Sequence, residues 1–540
     1  MRRMMFCSSQ RLKIEVGCCW ITMVFIPLLA SLVQPTHFIL ILLPFLILLI
    51  FSDFHRRRGA NSNLPPGPTP LPIIGNLHNL RGLPHLAFHR LSEKYGPIIS
   101  LKLGQVPSIV VSSADMALEI TKTQDSVFCS RSQLTALRRF SYGGLDIAFS
   151  PFDDHWKQTR RICNVEVLSV AKVQSFGPIR REEVNALVNS ITKACSRKEG
   201  VNMSERMLTF TMNNLFRQAF GKRIIVDGEH ESRPQVYDIL KEMLRIMTEF
   251  GAGDLFPSMG WVDVLTGWRR KLAQSFQKMD SMFEGEIRER ILLNSRGSVQ
   301  EHCFVDFLLQ PQATEEGSQS LTMSEIKAVL MNMFTAGGDT TSTTVEWGLT
   351  RLMKNPLAMK KAQEEVRRVV GGKGVLEESD LQHLHYLKMV INETLRLHPP
   401  VPFPPPRESM KDTKVGDYNI PAKMRVYVSL WSVGRDPKYW GVDAEDFRPE
   451  RFENSVINFK GAHREFIPFG SGRRICPGIS LAVAGVELVF ANLLHAFDWA
   501  LPDGMVNDDV DLEAKPGMIV SKKVPLVLVP SLPSPPITKG

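Results

Sequence analysis

The chain has 540 residues, of which 44% are hydrophobic and 22% are charged, an ordinary composition for a globular protein with a sizeable core. Its formal net charge of +9 is uneven, because residues 1–60 hold seven Lys/Arg against two Asp/Glu and so account for +5 of it. Positive charge concentrated beside an apolar segment indicates a membrane surface and argues against a nucleic-acid-binding protein.

Two apolar blocks near the N-terminus predict membrane attachment. Residues 18–33 and 38–51 are uncharged, and together they approach the roughly 20 residues that a membrane span needs. Basic residues flank both ends, so a single span and a hairpin both satisfy the preference of Lys/Arg for the cytosolic side. If synthesis begins at Met23, only one short anchor remains, and N-terminal sequencing of the native protein tests this. A cleaved signal peptide is the weaker interpretation, because no small-residue cleavage site ends the apolar run.

A proline-rich connector follows the anchor. Five prolines in residues 64–72 predict an extended, stiff hinge. Beyond it the chain shows no internal repeat, and residues 63–530 are interpreted as one continuous catalytic domain. The Pro/Ser-rich end, residues 531–540, is predicted to be a disordered tail. The chain thus divides into an anchor over 1–62, a large domain and a short tail.

The periodicity of the large domain predicts a mainly α fold with small antiparallel β-sheets. Alternating apolar residues over 97–113 predict a small antiparallel sheet, and residues 414–429 predict a hairpin. Long periodic segments over 234–250 and 322–354 predict helices. The second of these helices opens with a T-x-x-E capping box.

Two motifs on predicted helices suggest a role beyond packing. AGGDTT, residues 336–341, places two glycines inside a helix, where each costs about 1 kcal/mol relative to alanine. ETLRLHPP puts Glu393 and Arg396 three residues apart on one helix face, where they can pair. Such a pair stabilises little when it lies on the surface.

The segment FGSGRRICPG, residues 469–478, is called here the cysteine loop. It surrounds one of eight cysteines with three glycines and two arginines. No cysteine belongs to a CxxC pair, which fits a reducing compartment and predicts no structural zinc. A thiolate ligand needs its charge stabilised, and Arg473, Arg474 and glycine-freed loop amides can do this. A buried structural cysteine in a glycine-rich turn is the competing interpretation.

The pattern F-x-x-G-x-R-x-C-x-G in this loop closely resembles the haem-binding signature of the cytochrome P-450 family of haem-thiolate monooxygenases. The resemblance implies the P-450 fold and a haem b cofactor, with Cys476 as the proximal iron ligand. It also implies that Arg474 meets a haem propionate, that Phe469 shields the sulfur, and that Gly478 lets the backbone approach the cofactor. A thiolate opposite iron-bound dioxygen favours O–O cleavage, which is the chemical reason for such a ligand.

The same resemblance gives roles to residues elsewhere in the chain. Asp339 and Thr340 would relay protons during oxygen activation. Trp156 and Arg160, in a W-x-x-x-R match, would contact the propionates, and Arg407 is a further propionate candidate.

The resemblance also implies a structural triad. Glu393 and Arg396 would be joined by Arg451 of the segment FRPERF and would hold the cysteine loop without taking part in the chemistry. No GxGxxG or GxxxxGK pattern is present, so the chain has no nicotinamide or flavin fingerprint of its own. Electrons must therefore come from another protein.

The hinge, AGGDTT, the PERF-type segment and the cysteine loop together resemble the A-type plant members of the family. Such enzymes lie on the cytosolic face of the endoplasmic reticulum, oxidise small lipophilic metabolites with dioxygen, and take electrons from NADPH-cytochrome reductase. A cytochrome b-type donor is an additional partner, as is the lipid bilayer, and no nucleic acid is expected. Lys157, Arg161 and Arg473 are candidate reductase contacts, although simple solvated charges explain them equally well.

The substrate pocket and a second membrane contact are predicted from position in the chain. The pocket is expected to draw on mainly apolar residues, which suits a terpenoid, an alkaloid precursor or a phenylpropanoid: the loop 128–149, Met331, Thr335, Ala336, residues 401–404 and residues 517–519. The connector 254–268 carries side chains that suit a bilayer interface, although core packing is an equal alternative: Leu255, Phe256, Met259, Trp261 and Trp268.

Two rival functions remain. One is the same fold running an oxygen-independent rearrangement, which does not need Asp339 and Thr340. The other is a non-catalytic membrane haem protein, and NADPH consumption in the presence of a reductase distinguishes it from an enzyme.

Overall fold

The described part of the chain covers most of the predicted catalytic domain. The structure is a computed structural model that describes residues 63–224, 234–297, 302–310, 312–314, 317–373 and 376–533. The predicted anchor and residues 534–540 of the predicted tail lie outside the described residues. From Leu64 onward the described residues belong to one compact unit.

Helices dominate the described residues. The α-helices are α1 (Pro84–Tyr95), α2 (Ala114–Leu118), α3 (Asp125–Phe128), α4 (Thr135–Phe140), α5 (Asp154–Ile162), α6 (Val170–Ser175), α7 (Gly177–Ser196), α8 (Met203–Phe220), α9 (Pro234–Met247), α10 (Ala252–Leu255), α11 (Val262–Leu265), α12 (Trp268–Ser295), α13 (Phe304–Leu309), α14 (Met323–Lys354), α15 (Pro356–Val370), α16 (His385–Leu397), α17 (Leu430–Val433), α18 (Pro437–Trp440) and α19 (Ile479–Ala496). Two π-helical segments, Glu119–Thr123 and Cys163–Val167, follow α2 and α5.

The strands form small sheets at the edge of the helices. They are β1 (Ile98–Leu103), β2 (Val106–Val111), β3 (Ser130–Arg131), β4 (Val201–Asn202), β5 (Gln312–Thr314), β6 (Gly317–Gln319), β7 (Arg407–Glu408), β8 (Thr413–Val415), β9 (Tyr418–Ile420), β10 (Arg425–Val428), β11 (Asp498–Ala500) and β12 (Val527–Ser531). The largest sheet has the order β1-β2-β10-β7-β3, and β11-β12-β4 form a second. The mainly α fold with small sheets is therefore confirmed.

The predicted hairpin over 414–429 needs a correction. Only β8 and β9 pair as a hairpin, with Lys414 opposite Asn419. The next strand, β10, runs parallel to β2, with Val426 opposite Ile109. Its four residues are all buried, and such a continuously buried strand fits inside a sheet better than at a hairpin edge. The antiparallel pairing of β1 with β2 over 97–113 is as predicted.

Helix α14 is the central element that positions the site. The Thr322 hydroxyl accepts the Glu325 N–H at 3.3 Å, and the Glu325 carboxylate accepts the Thr322 N–H at 2.7 Å, as the capping box predicts. A Cβ on Gly338 would lie 2.7 Å from the Met212 side chain, and one on Gly337 would lie 3.0 Å from Leu215. These glycines therefore let α8 pack closely across the middle of α14.

Helix α19 leads out of the cysteine loop. Among the described residues it is the one helix whose length and apolarity would suffice to cross a membrane, and 44% of it is buried within the protein. Because it packs beside α14 and α16, we interpret it as a core helix of the catalytic domain.

The connector 254–268 contains the end of α10 and all of α11 and lies largely at the surface. Trp261 is 58% exposed and Leu265 is 76% exposed. Trp268, which the sequence placed in the membrane contact, packs against the core instead, and its indole N–H donates to the Glu249 carboxylate at 3.2 Å. The indole is amphipathic and satisfies its N–H inside the protein here.

Candidate active site

The cysteine loop is a tight turn that ends at α19. The Cys476 N–H donates to the Phe469 carbonyl oxygen at 2.9 Å and closes the turn. Gly470 and Gly472 have φ angles of 75° and 71°. A Cβ on Gly472 would lie 1.8 Å from the Thr121 carbonyl oxygen. Glycine at 472 is thus required for the loop to dock on the π-helical segment after α2.

The Cys476 side chain faces an internal cavity that α14 closes from the opposite side. Phe469 lines the same cavity and packs edge-on against Phe459, with ring centroids 5.6 Å apart. Burial raises the pKa of the Cys476 thiol, while the Gly478 N–H and the positive charge of Arg160 oppose the rise. A thiolate at this position therefore needs further positive charge, which a coordinated metal ion supplies.

Four arginines line the same cavity, and we call them the arginine cluster: Arg131, Arg160, Arg407 and Arg474. Within the described chain only Arg407 pairs with a carboxylate, that of Asp125, at 2.9 Å. The other three donate to backbone carbonyl oxygens. Burial lowers the pKa of all four guanidinium groups, and repulsion between arginines lowers those of Arg131 and Arg474 further. Buried cations without counterions are costly, so the cavity favours an anionic guest.

This donor set fits haem. The two propionates would supply the negative charge that the arginine cluster lacks, and the apolar walls suit the flat macrocycle. Cys476 offers a soft sulfur ligand for the iron. The sequence missed Arg131, which lies on β3 beside the predicted residues.

The structure places Trp156 behind the arginine cluster. The Arg474 guanidinium stacks over its ring, with the carbon 4.1 Å from the centroid. The indole N–H donates to the Ile147 carbonyl oxygen at 2.9 Å, and Trp156 is not among the residues that line the cavity. The propionate contact of Trp156 stays a prediction. The structure shows instead that Trp156 packs against the Arg474 guanidinium.

A buried pair, Asp146 and Asn332, holds the backbone that the arginine cluster binds. The Asn332 amide donates to the Asp146 carboxylate at 2.7 Å, and its oxygen accepts the N–H groups of Ile147 and Ala148 at 2.9 and 3.0 Å. Asp146 also accepts the Ser150 N–H at 2.8 Å. Burial raises the pKa of Asp146 to about 6. The pair therefore fixes the carbonyl groups that receive Arg131 and Arg474.

The two predicted proton-relay residues differ in orientation. Thr340 lines the cavity, and its hydroxyl donates to the Ala336 carbonyl oxygen at 2.5 Å. Asp339 is not among the lining residues. Burial raises the pKa of its carboxyl to about 6, against the opposing charges of Lys515 and Lys241. The acid thus lies behind the hydroxyl, towards α9.

The predicted triad residues lie together in the core. Arg396 donates two bonds of 2.7 Å to the Glu393 carboxylate, and both side chains are fully buried. The Arg451 guanidinium lies 3.3 Å from the same carboxylate. Arg396 also donates to the carbonyl oxygens of Gly434 and Ala444. This network joins α16 to the segments that lead into the cysteine loop.

The predicted role of Arg473 in stabilising the thiolate needs a correction. Its backbone N–H donates to the Asp125 carboxylate at 2.8 Å, and its half-exposed side chain lies 3.3 Å from the same oxygen. It therefore pairs with Asp125 and not with the thiol, whose charge is stabilised by Arg160 and the Gly478 amide. Lys157 and Arg161, the other candidate docking residues, are exposed.

The cavity wall opposite the cysteine loop is mainly apolar. Residues in most of the predicted segments line it: Ile147, Phe149, Thr335, Ala336, Val401, Pro404, Met518 and Ile519. Met331 is buried outside the lining. The sequence missed α8, which contributes Thr211, Asn214 and Leu215. No local motif marks that helix, since its facing side chains are set by packing on α14.

Replacing Arg131 with methionine should weaken haem retention by roughly 10- to 100-fold, because one charged hydrogen-bond donor to a buried anion is lost. The measurement is the rate of haem transfer from the holoprotein to apomyoglobin. The control is Arg138→Met, since Arg138 is exposed on the neighbouring helix α4. Equal transfer rates for the two variants would contradict a role for Arg131 in holding haem.

A mainly helical fold with a buried cysteine loop and an arginine-lined cavity defines a haem-thiolate protein. The Cytochrome P450 family profile matches residues 65–529, and the chain belongs to the cytochrome P450 family. It is accordingly a haem-dependent monooxygenase whose electrons come from a redox partner.

Plant relatives cover nearly the whole chain. Cytochrome P450 71A1 of Persea americana is 44% identical over 84% of this chain and 91% of its own length. Premnaspirodiene oxygenase of Hyoscyamus muticus is 43% identical, and 5-epiaristolochene 1,3-dihydroxylase of Nicotiana tabacum is 42% identical, each over 88% of this chain and 95% of its own length. A zebrafish cytochrome P450 with progesterone superposes with a TM-score of 0.70 at 25% identity, covering 83% of this chain and 99% of that one.

Proposed function

We propose that this chain oxidises a small terpenoid hydrocarbon or a similarly apolar plant metabolite. The observation that carries the proposal is the apolar cavity wall that faces Cys476, to which Ile147, Leu215, Val401 and Ile519 contribute. Such a wall binds a substrate through burial of apolar surface. The relatives named for premnaspirodiene and 5-epiaristolochene support the terpenoid class.

In this proposal the residues in and behind the cavity have different roles. Haem, when bound, supplies the activation of dioxygen with electrons from a reductase. Cys476 holds the iron through sulfur, and the arginine cluster orients the propionates. The Thr340 hydroxyl lies at the cavity surface and passes protons inward, and Asp339 supplies them from behind. A carboxyl whose pKa is about 6 exchanges protons readily near neutral pH.

Replacing Asp339 with asparagine should lower product formation by about 100-fold, as expected for loss of a general acid. The thermal stability of the variant should be higher than that of the wild type at alkaline pH. The pKa of the Asp339 carboxyl is about 6 in the folded protein and 3.8 ordinarily, so the wild type loses stability as pH rises through 6. The variant should therefore melt higher at pH 8, by roughly 1–3 °C, and this difference should shrink as pH falls from 6 towards 4.

Product yield per NADPH consumed and melting temperatures at several pH values check this prediction. Asp503→Asn, which changes an exposed acid, is the control for both. An Asp339→Asn protein with wild-type product yield would contradict the proton-relay role.

The electron donor proposed is NADPH-cytochrome reductase, with a cytochrome b-type protein as an additional donor. The exposed cations Lys157 and Arg161 follow Trp156 on α5, a helix that also carries Arg160 of the arginine cluster. Complementary charge would bring an acidic donor surface to this side of the molecule. We place the enzyme at the endoplasmic reticulum membrane with its catalytic domain in the cytosol, as expected for A-type plant members.

An exposed apolar patch supports contact of the catalytic domain with the bilayer. The hinge residue Ile73 is 64% exposed, and Trp261, Val264 and Leu265 are 58%, 60% and 76% exposed. The β1–β2 turn adjoins the connector, because the Gln105 N–H donates to the Leu255 carbonyl oxygen at 2.8 Å. Large apolar side chains exposed close together on one connector suit an interaction site.

Replacing both Trp261 and Leu265 with glutamate should reduce liposome binding of a form that starts at residue 63 by roughly 10-fold or more, because apolar burial is lost and charge repels anionic lipid. Sedimentation with phosphatidylcholine/phosphatidylserine vesicles measures this. Val456→Glu is the matched control, since Val456 is 81% exposed in a different part of the chain. Unchanged liposome binding of the double variant would contradict contact between this patch and the membrane.

The function is tested with the full chain in membranes, a plant NADPH-cytochrome reductase and NADPH under ¹⁸O₂. A strongly red-shifted Soret band of the reduced, CO-treated protein is expected from thiolate ligation. Premnaspirodiene and 5-epiaristolochene are suitable first substrates, and ¹⁸O should appear in the product. Product without ¹⁸O that also forms under argon would support a rearrangement, and no NADPH consumption with any substrate would support a non-catalytic haem protein.

A further inference from the structure

A second cavity lies behind one wall of the active-site cavity. It is partly open to solvent and has a volume of about 760 Å³, which is within the usual size range for small-molecule sites. The wall consists of segments 399–402 and 518–520, whose residues face one cavity or the other. The Val520 N–H donates to the Pro400 carbonyl oxygen at 2.8 Å and joins the two segments. None of the roles proposed above uses this second cavity.

Arg351 of α14 faces the second cavity without a carboxylate partner among the described residues. Its Nε donates to Nε2 of His398 at 2.7 Å, and its two terminal amino groups make no hydrogen bond within the described residues. Burial and the surrounding cations, including Arg351 and Arg435, hold the pKa of His398 well below its ordinary value. His398 is therefore a neutral acceptor that orients the guanidinium without balancing its charge.

Two other cations that line the second cavity are already paired. Arg435 pairs with Glu445 at 3.0 Å, and Lys523 pairs with Glu513 at 2.6 Å. The ammonium of Lys522 donates to the Asp511 backbone carbonyl oxygen, while Oδ2 of the Asp511 carboxylate has no hydrogen-bond partner within the described residues. Among the described residues that line the cavity, Arg351 is the guanidinium without a carboxylate partner. A ligand with one carboxylate would supply that partner.

The remaining walls suit a flat apolar body. Trp347 stacks on His398 with centroids 4.1 Å apart, and Trp431 lies under the Arg435 guanidinium at 3.7 Å. His85 is only 4% exposed, lines the cavity and has no hydrogen-bond partner within the described chain. Its pKa is lowered to about 4 by burial and by Arg435, so the neutral ring offers one donor and one acceptor.

We propose that the second cavity binds a small aromatic monocarboxylate, whose carboxylate pairs with the terminal amino groups of Arg351 and whose ring lies among Trp347, Trp431 and His85. An arginine fork matches a carboxylate in shape and charge. The indole rings offer mainly their apolar edges to the aromatic body, because His398 and Lys522 lie over Trp347 and Arg435 lies over Trp431. This site is separate from the site of oxidation, and its occupant is not the substrate.

The test uses the full-length holoprotein in nanodiscs with 2-naphthoate as the probe. Excess 1-phenylimidazole blocks the active-site cavity, and isothermal titration calorimetry measures binding. We expect one saturable site. Arg351→Gln should weaken binding roughly 10- to 100-fold, as expected for loss of a charged hydrogen-bond partner, and Arg351→Lys should weaken it less, because the charge remains although the two-donor fork is lost.

Two further comparisons complete the test. Arg368→Gln, an exposed arginine on α15, should bind like the wild type. The neutral analogue 2-naphthylmethanol should bind the wild type at least roughly 10-fold more weakly than 2-naphthoate, which tests the role of charge without a mutation. The reduced CO spectrum should be unchanged in every variant, which shows that the haem site is intact. The proposal is overturned if the wild type shows no saturable binding, if Arg351→Gln binds equally well, or if the neutral analogue binds as tightly.

Discussion

Replacing Cys476 with serine should remove the red-shifted Soret band of the reduced CO complex and lower substrate oxidation at least about 100-fold, equivalent to about 3 kcal/mol of activation free energy. A hydroxyl is a poorer donor than a thiolate and does not favour O–O cleavage in the same way. The arginine cluster is untouched, so the variant should still contain haem. The measurements are the CO difference spectrum, the haem-to-protein ratio and the oxidation rate with reductase.

Cys163→Ala is the matched control for this experiment. Cys163 is buried, lies one turn beyond Arg160 and is not among the residues that line the cavity. Burial raises its thiol pKa to about 12, so it is an inert buried thiol. The control should keep its spectrum and activity. If the Cys476→Ser protein kept the red-shifted Soret band of the wild type, another residue would be the iron ligand.

Replacing Glu393 with glutamine should lower the free energy of unfolding by about 3–5 kcal/mol, because it removes the counter-charge of a fully buried arginine. The carboxylate accepts two bonds from Arg396 and one from the Arg448 N–H at 2.9 Å, and it pairs with Arg451. The amide can accept only at its oxygen, so at least one guanidinium N–H loses its partner. Urea unfolding of the purified protein measures the change.

The same variant should accumulate largely without haem if the triad holds the cysteine loop. Arg396 lies 5.0 Å from the Trp440 ring, whose indole N–H donates to the Glu465 carbonyl oxygen just before the loop. Glu364→Gln is the control, because Glu364 pairs with Lys360 on the surface of α15, with side chains 66% and 73% exposed. That change should cost less than about 0.5 kcal/mol. A Glu393→Gln protein as stable as this control would contradict the triad's role.

Features with a local signal could be predicted from the sequence. The capping box and helical periodicity gave α14 to within one residue at its start, because both arise from contacts within a few residues. The cysteine loop was recognisable for a similar reason, because Gly470 and Gly472 adopt the positive φ angles that the turn itself requires.

Features that depend on distant partners could not be predicted in the same way. The strand β10 alternates like a hairpin strand, and only its neighbour β2, more than 300 residues earlier, makes it a central parallel strand. Arg131 resembles a surface arginine until its acceptors on Ala148 and Pro405 are known. Arg473 and Arg474 are adjacent in the sequence, yet the side chain of Arg473 is half-exposed and that of Arg474 is buried. Residue type and spacing do not show which distant segment a side chain will contact or whether it will be buried.

The Asp146–Asn332 pair also bears on the order of assembly during synthesis. Its two residues are 186 positions apart, and Arg474 reaches its backbone acceptors across 324 to 345 positions. The ribosome synthesises the backbone acceptors of Arg474 long before it synthesises Arg474 itself. Contacts between such distant parts of a chain form slowly. Haem capture is therefore a late event for this chain, and a nascent chain that stops before residue 474 has no complete pocket for the cofactor's anionic edge.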